Sequence, residues 1–280
     1  MAKVLLVGCG KLGMAVALNL YRSGHEVVGV RKSAQALPMG IRTLQADVTQ
    51  TDSLACLKTF HPQVIIYCVA ATAQSDENYF QHYVLGLKNV LESQQNNKQL
   101  ERVFFVSSTR VYGQSTQEIV DEKTPAIASD FGGQRLLEAE RELSALTCAS
   151  TVLRLSGIYG AGRLHLINLA RDQSRWPAQN HWSNRIHQED AAAFIVHLIN
   201  MHVQQQALES CYLVTDDLPT QQHDVLTWLA QQMHLDVAHK HVPELSYGKK
   251  LSNRRMRDTG FVLKYPSYQQ GYAAILATLP

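Results

Sequence analysis

The stretch of residues 3–13 constrains the fold more than any other part of this sequence. It reads Lys-Val-Leu-Leu-Val-Gly-Cys-Gly-Lys-Leu-Gly, an apolar run suited to a strand buried on both faces, followed by three spaced glycines. An amphipathic segment, residues 12–22, and a second apolar strand, residues 26–30, come next. Glycines alone are a weak signal, but in this strand-turn-helix context they predict a dinucleotide site. The alternative is a glycine loop that only packs a helix on a sheet.

Each glycine of this turn has its own expected role in holding a dinucleotide. Gly8 permits the tight turn, Gly10 lets a pyrophosphate approach the backbone, and Gly13 lets the helix pack closely on its strand. The helix N-terminus, with Lys11 and Leu12, offers free N–H groups and a partial positive charge to the phosphates. We therefore expect these five residues to contact the cofactor.

Composition limits the classes of protein to which the chain can belong. Its 280 residues, 45% hydrophobic and 18% charged, are enough for one large domain, or for one domain with a smaller lobe. A net charge of +2 is too small to indicate a nucleic-acid or anionic-membrane partner. The first strand begins almost at Met1, leaving no room for a signal peptide, and no apolar run approaches the roughly 20 residues of a membrane span. The composition therefore predicts a cytoplasmic protein.

The cysteines and histidines indicate neither disulfides nor a metal site. Five cysteines are scattered without pairing or metal-ligand spacing, and most lie in apolar segments. The 12 histidines form no strong ligand motif. We expect buried free thiols and no metal.

The residues that follow the second strand bear on which nicotinamide dinucleotide is bound. At this position an acidic residue would hold the ribose 2′-hydroxyl of NAD, whereas a basic residue can hold the 2′-phosphate of NADP. The sequence has Arg31 and Lys32 here. It therefore favours NADP over NAD, the alternative being that both cations merely lie at a solvated strand end.

Strand and helix patterns continue to alternate beyond this point. Apolar strands are predicted at residues 42–46, 63–69 and 102–106, with helical stretches at 52–60 and 76–95 between them. This pattern predicts an α/β fold with a doubly wound parallel sheet. Ligands of such a sheet bind at the carboxyl ends of its strands. The residues expected there, besides the glycine loop and Arg31, are Asp47, Val48, Val69, Ala70, Ala71 and Ser108.

Several further segments, in their order along the chain, resemble one known family. They are the glycine loop, Asp47-Val48-Thr49, Val69-Ala70-Ala71, residues 84–91, Ser107-Ser108-Thr109-Arg110-Val111-Tyr112-Gly113, residues 154–160, residues 185–192, and residues 252–255 with 260–266. The sequence resembles the extended short-chain dehydrogenases/reductases, also called the NAD-dependent epimerase/dehydratase family. The resemblance covers most of the chain and implies a Rossmann fold with a smaller C-terminal substrate lobe.

The resemblance also implies a chemistry from which this sequence departs. In active members a Ser or Thr, a Tyr and a Lys four residues later cooperate, and the tyrosine exchanges a proton with a substrate hydroxyl while nicotinamide exchanges hydride. The matching positions are Ser108, Phe131 and Arg135. Phe131 carries no proton. Arg135 stays charged and can hydrogen-bond a ribose, but it does not replace lysine in every respect.

Other departures from the family pattern indicate an atypical branch. The family's dehydratases carry Asp-Glu immediately after the hydroxyl residue, where this chain has Thr109 and Arg110. The arginine that many members use to bind a substrate diphosphate falls at Ser183, although Arg185 lies two residues on. The glycine loop has one residue rather than two between its first glycines. Dehydration of a sugar nucleotide by the usual route is therefore disfavoured.

Residues 163–187 concentrate cations and aromatic side chains in the expected substrate lobe. Such a mixture can grip a phosphorylated or nucleotide-linked ligand through guanidinium groups and ring stacking. A solvated loop with a few packed tryptophans explains the composition equally well. The predicted substrate-binding residues are Arg154, Arg163, Trp182, Arg185 and His187.

Two tyrosines are candidates to replace the missing phenol. Tyr112 follows Ser108 closely, and Tyr159 is predicted in the loop after the sixth strand. Such tyrosines are more often structural than catalytic. The predicted catalytic residues are Ser108, Arg135 and Tyr112.

These observations lead to two hypotheses about function. We expect a Rossmann domain over residues 1–155 and a substrate lobe over 156–280, with segments returning to the first domain. The first hypothesis is an NADP-dependent oxidoreductase or epimerase acting on a nucleotide-sugar-like or phosphorylated small molecule. The alternative is a catalytically inactive NADP-binding sensor or regulatory module. Both leave a homodimer open.

Overall fold

The computed structural model describes residues 1–279 and consists of alternating strands and helices, with short extra strands in its later part. The strands are β1 (Lys3–Val7), β2 (Glu26–Arg31), β3 (Arg42–Gln45), β4 (Val64–Tyr67), β5 (Arg102–Ser108), β6 (Ile119–Val120), β7 (Ala149–Leu155), β8 (Gly157–Tyr159), β9 (Asn180–Ser183), β10 (Arg185–His187), β11 (Cys211–Val214), β12 (Thr220–Gln221), β13 (Leu245–Gly248) and β14 (Lys250–Leu251). The α-helices are α1 (Lys11–Arg22), α2 (Asp76–Tyr79), α3 (Gly86–Ser93), α4 (Phe131–Glu142), α5 (His165–Arg171), α6 (Gln188–Val203), α7 (Gln222–Gln232), α8 (Arg254–Asp258) and α9 (Tyr268–Leu276).

Seven strands form the central sheet, in the order β11-β7-β5-β4-β1-β2-β3. The pairs from β5 through β4, β1 and β2 to β3 are all parallel. The side chains of the central strand β4 are fully buried, as expected for a strand covered on both faces. The order reverses direction after β3, which returns the chain to the other side of β1. The predicted doubly wound parallel sheet is confirmed.

The structure differs from the prediction at the end of one strand and in the type of one helix. Strand β5 extends through Ser108 rather than ending at residue 106, so Ser108 is the last residue of the strand. Its hydroxyl then accepts a hydrogen bond from the Arg110 backbone N–H at 3.2 Å, which starts the short turn Thr109–Val111. The predicted helix over residues 52–60 is a 3₁₀ helix, Thr51–Leu57.

The predicted helix over residues 76–95 is helical but not a uniform α-helix. Its middle, Phe80–Leu85, is a π-helical segment between α2 and α3. The Tyr67 hydroxyl, which lies beneath it, donates to the His82 carbonyl oxygen. A side-chain donor inserted in this way competes with the helical ladder, which explains the wider turn.

The chain divides into two compact units, and neither is one continuous segment. The first unit comprises residues 1–113, 126–154 and 192–212. The second comprises residues 114–125 and 155–191, and the chain from 213 onward.

The second unit has its own apolar core, in which α5, α7 and α9 contribute buried side chains. Tyr159 and Tyr272 pack against each other within it, with ring centroids 4.5 Å apart and ring planes tilted by 32°. Its strands pair in small sets: β8 with β10, β9 between β12 and β13, and β6 with β14. Tyr159 therefore lies in the short strand β8, not in the predicted loop.

Candidate functional site

The turn from β1 into α1 requires glycine at two of its positions. Gly8 has a φ of +98°, a left-handed conformation that other residues rarely adopt, and a Cβ there would lie 2.5 Å from the Cys68 carbonyl oxygen. A Cβ at Gly13 would lie 2.1 Å from the Gly8 carbonyl oxygen. The start of α1 therefore packs directly on the turn, an approach that any side chain at Gly13 would prevent.

Gly10 has a different environment from its two neighbours. It is the N-cap of α1 with a φ of −74°, so its backbone conformation does not require glycine. Apart from its two neighbours along the chain, a Cβ at Gly10 would meet no atom of the described residues within 4 Å, and within residues 1–279 no side chain caps this end of the helix. The loop thus leaves open space directly beside the backbone at the positive end of α1.

This open space belongs to a cavity of about 470 Å³ in the first unit. Its wall is built from the carboxyl ends of β1, β2 and β4 and from the residues that follow β3. Among the predicted cofactor residues, the lining includes Gly8, Gly10, Arg31, Lys32, Asp47, Val48, Val69 and Ala70. The cavity is also lined by residues that were not predicted from the sequence: Val7, Cys9, Val30, Ser33, Ala46, Cys68, Thr72 and His82. Most of these directly adjoin the predicted residues, and that adjacency is the signal that could have identified them.

Two cations lie on the β2 side of this cavity. The Nη1 of Arg31 donates to the Gln35 carbonyl oxygen at 3.3 Å, while its buried Nε has no hydrogen-bond partner within residues 1–279. The Nζ of Lys32 lies 2.8 Å from Oδ2 of Asp47. The cavity therefore combines one unsatisfied guanidinium donor with one ammonium paired to a carboxylate.

Phe131, which the resemblance matches to the family's tyrosine, packs against a cation and a phenol. The Cζ of Arg110 lies 5.2 Å from the centroid of the Phe131 ring, and the Tyr79 ring meets the Phe131 ring edge-on at 5.4 Å. Arg110 donates from Nε to both carboxylate oxygens of Asp130 at 3.0 Å and from Nη1 to the Tyr79 hydroxyl at 2.7 Å. Arg110 and Tyr79 therefore form a polar cluster around a ring that cannot exchange protons.

Arg135, which the resemblance matches to the family's lysine, is held by carboxylates. Its Nε and Nη2 donate to the two oxygens of Asp76 at 2.8 and 2.9 Å, and Nη1 donates to Glu138 at 2.6 Å. These hydrogen bonds raise the pKa of Arg135 above its usual range. Together with Phe131 and Asp76, Arg135 lines a second cavity, of about 530 Å³. The side chain is thus directed to a different cavity from the one formed by the glycine loop.

Tyr112 and Arg154 belong to one buried network in the first unit. Arg154 donates from Nε and Nη2 to Glu140 at 3.1 and 2.6 Å and from Nη1 to the Tyr112 hydroxyl at 2.5 Å. Glu140 also accepts from the Ser107 hydroxyl at 2.6 Å. Although burial opposes the charge, the Glu140 carboxylate raises the pKa of Arg154 above its usual range. Both residues therefore have protein partners that hold β5, α4 and β7 together.

The other predicted substrate residues lie in the second unit. Arg163 donates to the Gln188 side chain at 3.2 Å, and Lys250 lies over the Trp182 ring at 5.4 Å. Arg185 is 3% exposed, packs on the Tyr268 ring and donates to the Ser183 hydroxyl. His187 is buried between the rings of Tyr159 and Tyr265, with ring centroids 5.2 and 4.1 Å away, and burial lowers its pKa. Arg163 and Trp182 are thus the more accessible of the four.

Arg185 shares its buried surroundings with an acid that sequence analysis missed. Asp216 is 1% exposed, and its backbone N–H donates to the Arg185 carbonyl oxygen at 2.7 Å. In the described part of the chain, Nη1 of Arg185 and Oδ2 of Asp216 both lack a hydrogen-bond partner. Burial raises the pKa of Asp216 to about 7, despite the opposing charge of Arg185. The carboxyl group is therefore poised between its two forms near neutral pH.

Replacing Asp216 with Asn should make the free energy of unfolding of the protein less sensitive to pH. An unfolded aspartate loses its proton near its ordinary pKa of about 4, whereas folded Asp216 keeps it up to about 7. The stabilisation from this proton is complete at low pH and is lost as pH rises through about 7. As pH rises from about 4 to 8, the unmodified protein should lose on the order of 1–3 kcal/mol of unfolding free energy that Asp216→Asn retains, measured by denaturant titration. An Asp216→Asn profile parallel to that of the unmodified protein, or the same gain in exposed Asp236→Asn, would contradict this account.

Residues 1–279 offer neither a metal-binding cluster nor a membrane-spanning helix. In this part of the chain no group of three His, Cys, Asp or Glu side chains is arranged to hold a metal ion. No helix within it combines the length and the apolar character that a bilayer crossing requires.

Comparison with known sequences identifies the family. Residues 4–208 match the sequence profile of the NAD dependent epimerase/dehydratase family. The chain is also 30% identical over 209 residues to the protein YeeZ of Escherichia coli (strain K12), an alignment that covers 71% of this chain and 73% of YeeZ.

Comparison with solved structures agrees with the sequence match. A structure from Methylobacillus flagellatus, provisionally assigned as an NAD-dependent epimerase/dehydratase, is 47% identical with a TM-score of 0.90, covering 99% of this chain and 98% of that one. The Bordetella bronchiseptica enzyme WbmG, solved with NAD and UDP, shares the fold with a TM-score of 0.80 at 15% identity, covering 99% and 94% of the two chains. The chain therefore belongs to the NAD-dependent epimerase/dehydratase family.

Proposed function

We propose that this protein is an NADP-dependent oxidoreductase or epimerase acting on a nucleotide-sugar-like or otherwise phosphorylated small molecule. The observation that carries the proposal is the cavity of the first unit, where the open backbone at Gly10 and the cations Arg31 and Lys32 line one wall. WbmG was solved with NAD and UDP, and UDP has the same chemistry as the nucleotide portion of such a substrate.

The residues of the cavity fit a dinucleotide in both shape and charge. The space beside Gly10 admits a pyrophosphate next to the N-terminus of α1, whose N–H groups and partial positive charge favour an anion. The unsatisfied Nε of Arg31 is a donor suited to a 2′-phosphate. Val48, Val69 and Ala70 supply apolar surface of the kind that covers an adenine or a ribose. A bound nicotinamide would supply hydride transfer.

Ser108 has the role of orienting the substrate in this proposal. Its hydroxyl accepts from the Arg110 N–H and retains its own proton, so it can donate a hydrogen bond to a substrate oxygen. Within the second unit, Arg163 and Trp182 have side chains suited to a phosphate and to a flat ring, respectively. Arg185 and His187 would act from a buried position, by fixing the neighbouring side chains.

The surroundings of Phe131 and Arg135 favour a second candidate function. The ring has no exchangeable proton, and Asp76 and Glu138 hold the guanidinium of Arg135 in the second cavity. A protein with this arrangement can bind NADP without reducing or oxidising it. The second candidate is therefore a catalytically inactive NADP-binding sensor or regulatory module.

One experiment distinguishes the two functions. The protein is titrated with NADPH and NADH by calorimetry and is then incubated with NADPH and a panel of nucleotide-linked ketosugars and simple ketones. Binding with loss of NADPH absorbance, or with epimerisation of an added nucleotide sugar detected by chromatography, supports the enzyme, whereas binding with neither supports the sensor. Binding of neither dinucleotide would overturn both.

Replacing Arg31 with Asp should weaken NADPH binding by about one to two orders of magnitude and leave NADH binding nearly unchanged. The change removes a charge-assisted contact to the 2′-phosphate and introduces a repulsive charge, which NADH does not meet. Calorimetric titration of both dinucleotides measures the effect. Arg42→Asp is the matched control, because it changes the net charge equally at an exposed position outside the cavity. Arg42 begins β3, whereas Arg31 pairs with Gln45 at the other end of that strand. Equal affinity of the unmodified protein for NADH and NADPH would contradict the preference for NADP.

A further inference from the structure

Asp47 is a carboxylate that its own turn holds in one position. Its Oδ1 accepts from the backbone N–H of Thr49 at 3.0 Å and from the Thr49 hydroxyl at 2.8 Å. Its backbone N–H donates to the Ser53 hydroxyl at 2.9 Å, and that hydroxyl donates back to the Asp47 carbonyl oxygen at 2.7 Å. Partial burial opposes the charge, but Lys32 and Thr49 hold the pKa of Asp47 below its usual value. The group is therefore a fixed anion at neutral pH.

The partner of this anion is a flexible cation that lines the same cavity. Because Oδ1 is taken by Thr49, Oδ2 is the atom that contacts the Nζ of Lys32, at 2.8 Å. The Lys32 side chain is 75% exposed and that of Asp47 only 21%. Lys32 is therefore the member of the pair that can move, and Asp47 is the member that stays.

We propose that Asp47 is a specificity-determining residue of the cofactor site, which limits the preference for a 2′-phosphorylated dinucleotide by holding Lys32. A 2′-phosphate that reaches Lys32 has to compete with Oδ2 of Asp47 and also meets the negative charge of that carboxylate. A 2′-hydroxyl meets neither obstacle. This inference rests on the dinucleotide site of the proposed function and adds to it a residue that lowers the ratio of NADPH affinity to NADH affinity, opposing the contribution of Arg31.

The expected size of the effect follows from the exposure of the pair. An ion pair with one largely exposed partner contributes little to stability, so a ligand can break it at small cost. The repulsion between Asp47 and a 2′-phosphate is larger, because the phosphate carries nearly two negative charges and lies in a partly desolvated site. Removing the Asp47 charge should therefore raise NADPH affinity about tenfold and leave NADH affinity within about twofold.

The test is Asp47→Asn in the full chain, with calorimetric titration of NADPH and NADH and no turnover required. Asparagine keeps an Oδ1 acceptor for Thr49, so the turn is preserved, and an unchanged thermal unfolding midpoint checks this. Asp52→Asn is the matched control, because it removes the same charge from an exposed position on the following 3₁₀ helix. The inference predicts a higher ratio of NADPH to NADH affinity in Asp47→Asn and no change in Asp52→Asn.

A second pair of variants tests whether Lys32 transmits the effect. Lys32→Met should weaken NADPH binding, and Asp47→Asn added to Lys32→Met should restore much less affinity than it adds in the unmodified protein. Equal changes for both dinucleotides in Asp47→Asn, or an equal gain with and without Lys32, would overturn the inference while leaving the proposed function intact. If the unmodified protein binds neither dinucleotide, the proposed function fails and this inference fails with it.

Discussion

A valine at position 10 should leave a folded protein that binds neither NADPH nor NADH. The backbone of Gly10 has a φ of −74°, which valine can adopt, and apart from its two chain neighbours no described atom lies within 4 Å of the position its Cβ would take. The branched side chain would instead occupy the space through which a pyrophosphate approaches the N-terminus of α1. We expect affinity for both dinucleotides to fall by at least about a thousandfold, or ~4 kcal/mol, measured by calorimetry.

Gly13→Ala is the informative comparison for this variant. A Cβ at Gly13 would lie 2.1 Å from the Gly8 carbonyl oxygen, so this smaller substitution should lower the thermal unfolding midpoint, which Gly10→Val should preserve. The two measurements would then distinguish the two glycines: Gly10 is needed for dinucleotide binding, and Gly13 is needed for the packing of α1 on the turn. If NADPH raises the unfolding midpoint of Gly10→Val as much as that of the unmodified protein, the glycine loop only packs the helix.

The second large effect concerns proton transfer. Reduction of a carbonyl needs a proton for the developing alkoxide, and a positioned acid contributes about 10² to 10⁴ in rate. Phe131 cannot supply it, and the Ser108 hydroxyl is a poor acid, so we expect no appreciable reductase activity from the unmodified chain by the family's usual route. A lysine at position 135 lacks the paired N–H donors by which Asp76 holds Arg135 in the second cavity, so it can adopt another direction. Phe131→Tyr combined with Arg135→Lys should then retain NADPH binding and increase NADPH oxidation with carbonyl substrates by about a hundredfold.

The single variants and Ser108→Ala control this experiment. Phe131→Tyr alone should gain less than the double variant, because it still lacks the lysine that lowers the pKa of the tyrosine in the family. Rapid turnover by the unmodified protein that Ser108→Ala leaves unchanged would show that the proton comes from elsewhere. Tyr112 and Tyr159 would then be mutated first, although their hydroxyls already contact Arg154 and the Ser267 carbonyl oxygen.

The fold could be predicted from the sequence because its signals are local. The apolar run before Gly8, the glycine spacing and the alternation of strand and helix patterns are each contained within short windows. The π-helical segment could not be predicted in this way, since it depends on the Tyr67 hydroxyl, which reaches the His82 carbonyl oxygen from strand β4. Local pattern specifies the elements, whereas long-range side-chain contacts adjust them.

The same distinction between local pattern and long-range contact applies to the residues of the candidate site. Residues at the carboxyl ends of β1, β2 and β4 were predictable because the parallel topology brings these ends to one edge. The direction of the Arg135 side chain was not predictable, because its partner Asp76 is 59 residues away in the sequence. Arg185 is similar: nothing in the surrounding sequence indicates that its guanidinium is buried on the ring of Tyr268.

Gly132 leaves the space in which the Arg110 guanidinium contacts the Phe131 ring. A Cβ at Gly132 would lie 2.4 Å from Cζ of Arg110, so a side chain there would push the flexible guanidinium away from the Phe131 ring. Arg110 can therefore contact Phe131 in its present position only while residue 132 is glycine. Substitutions at positions 110 and 132 are therefore expected to be coupled, because a side chain at 132 requires a different position of the Arg110 guanidinium. Related chains that carry a larger residue at 132 are then expected to have lost the arginine or to hold it elsewhere.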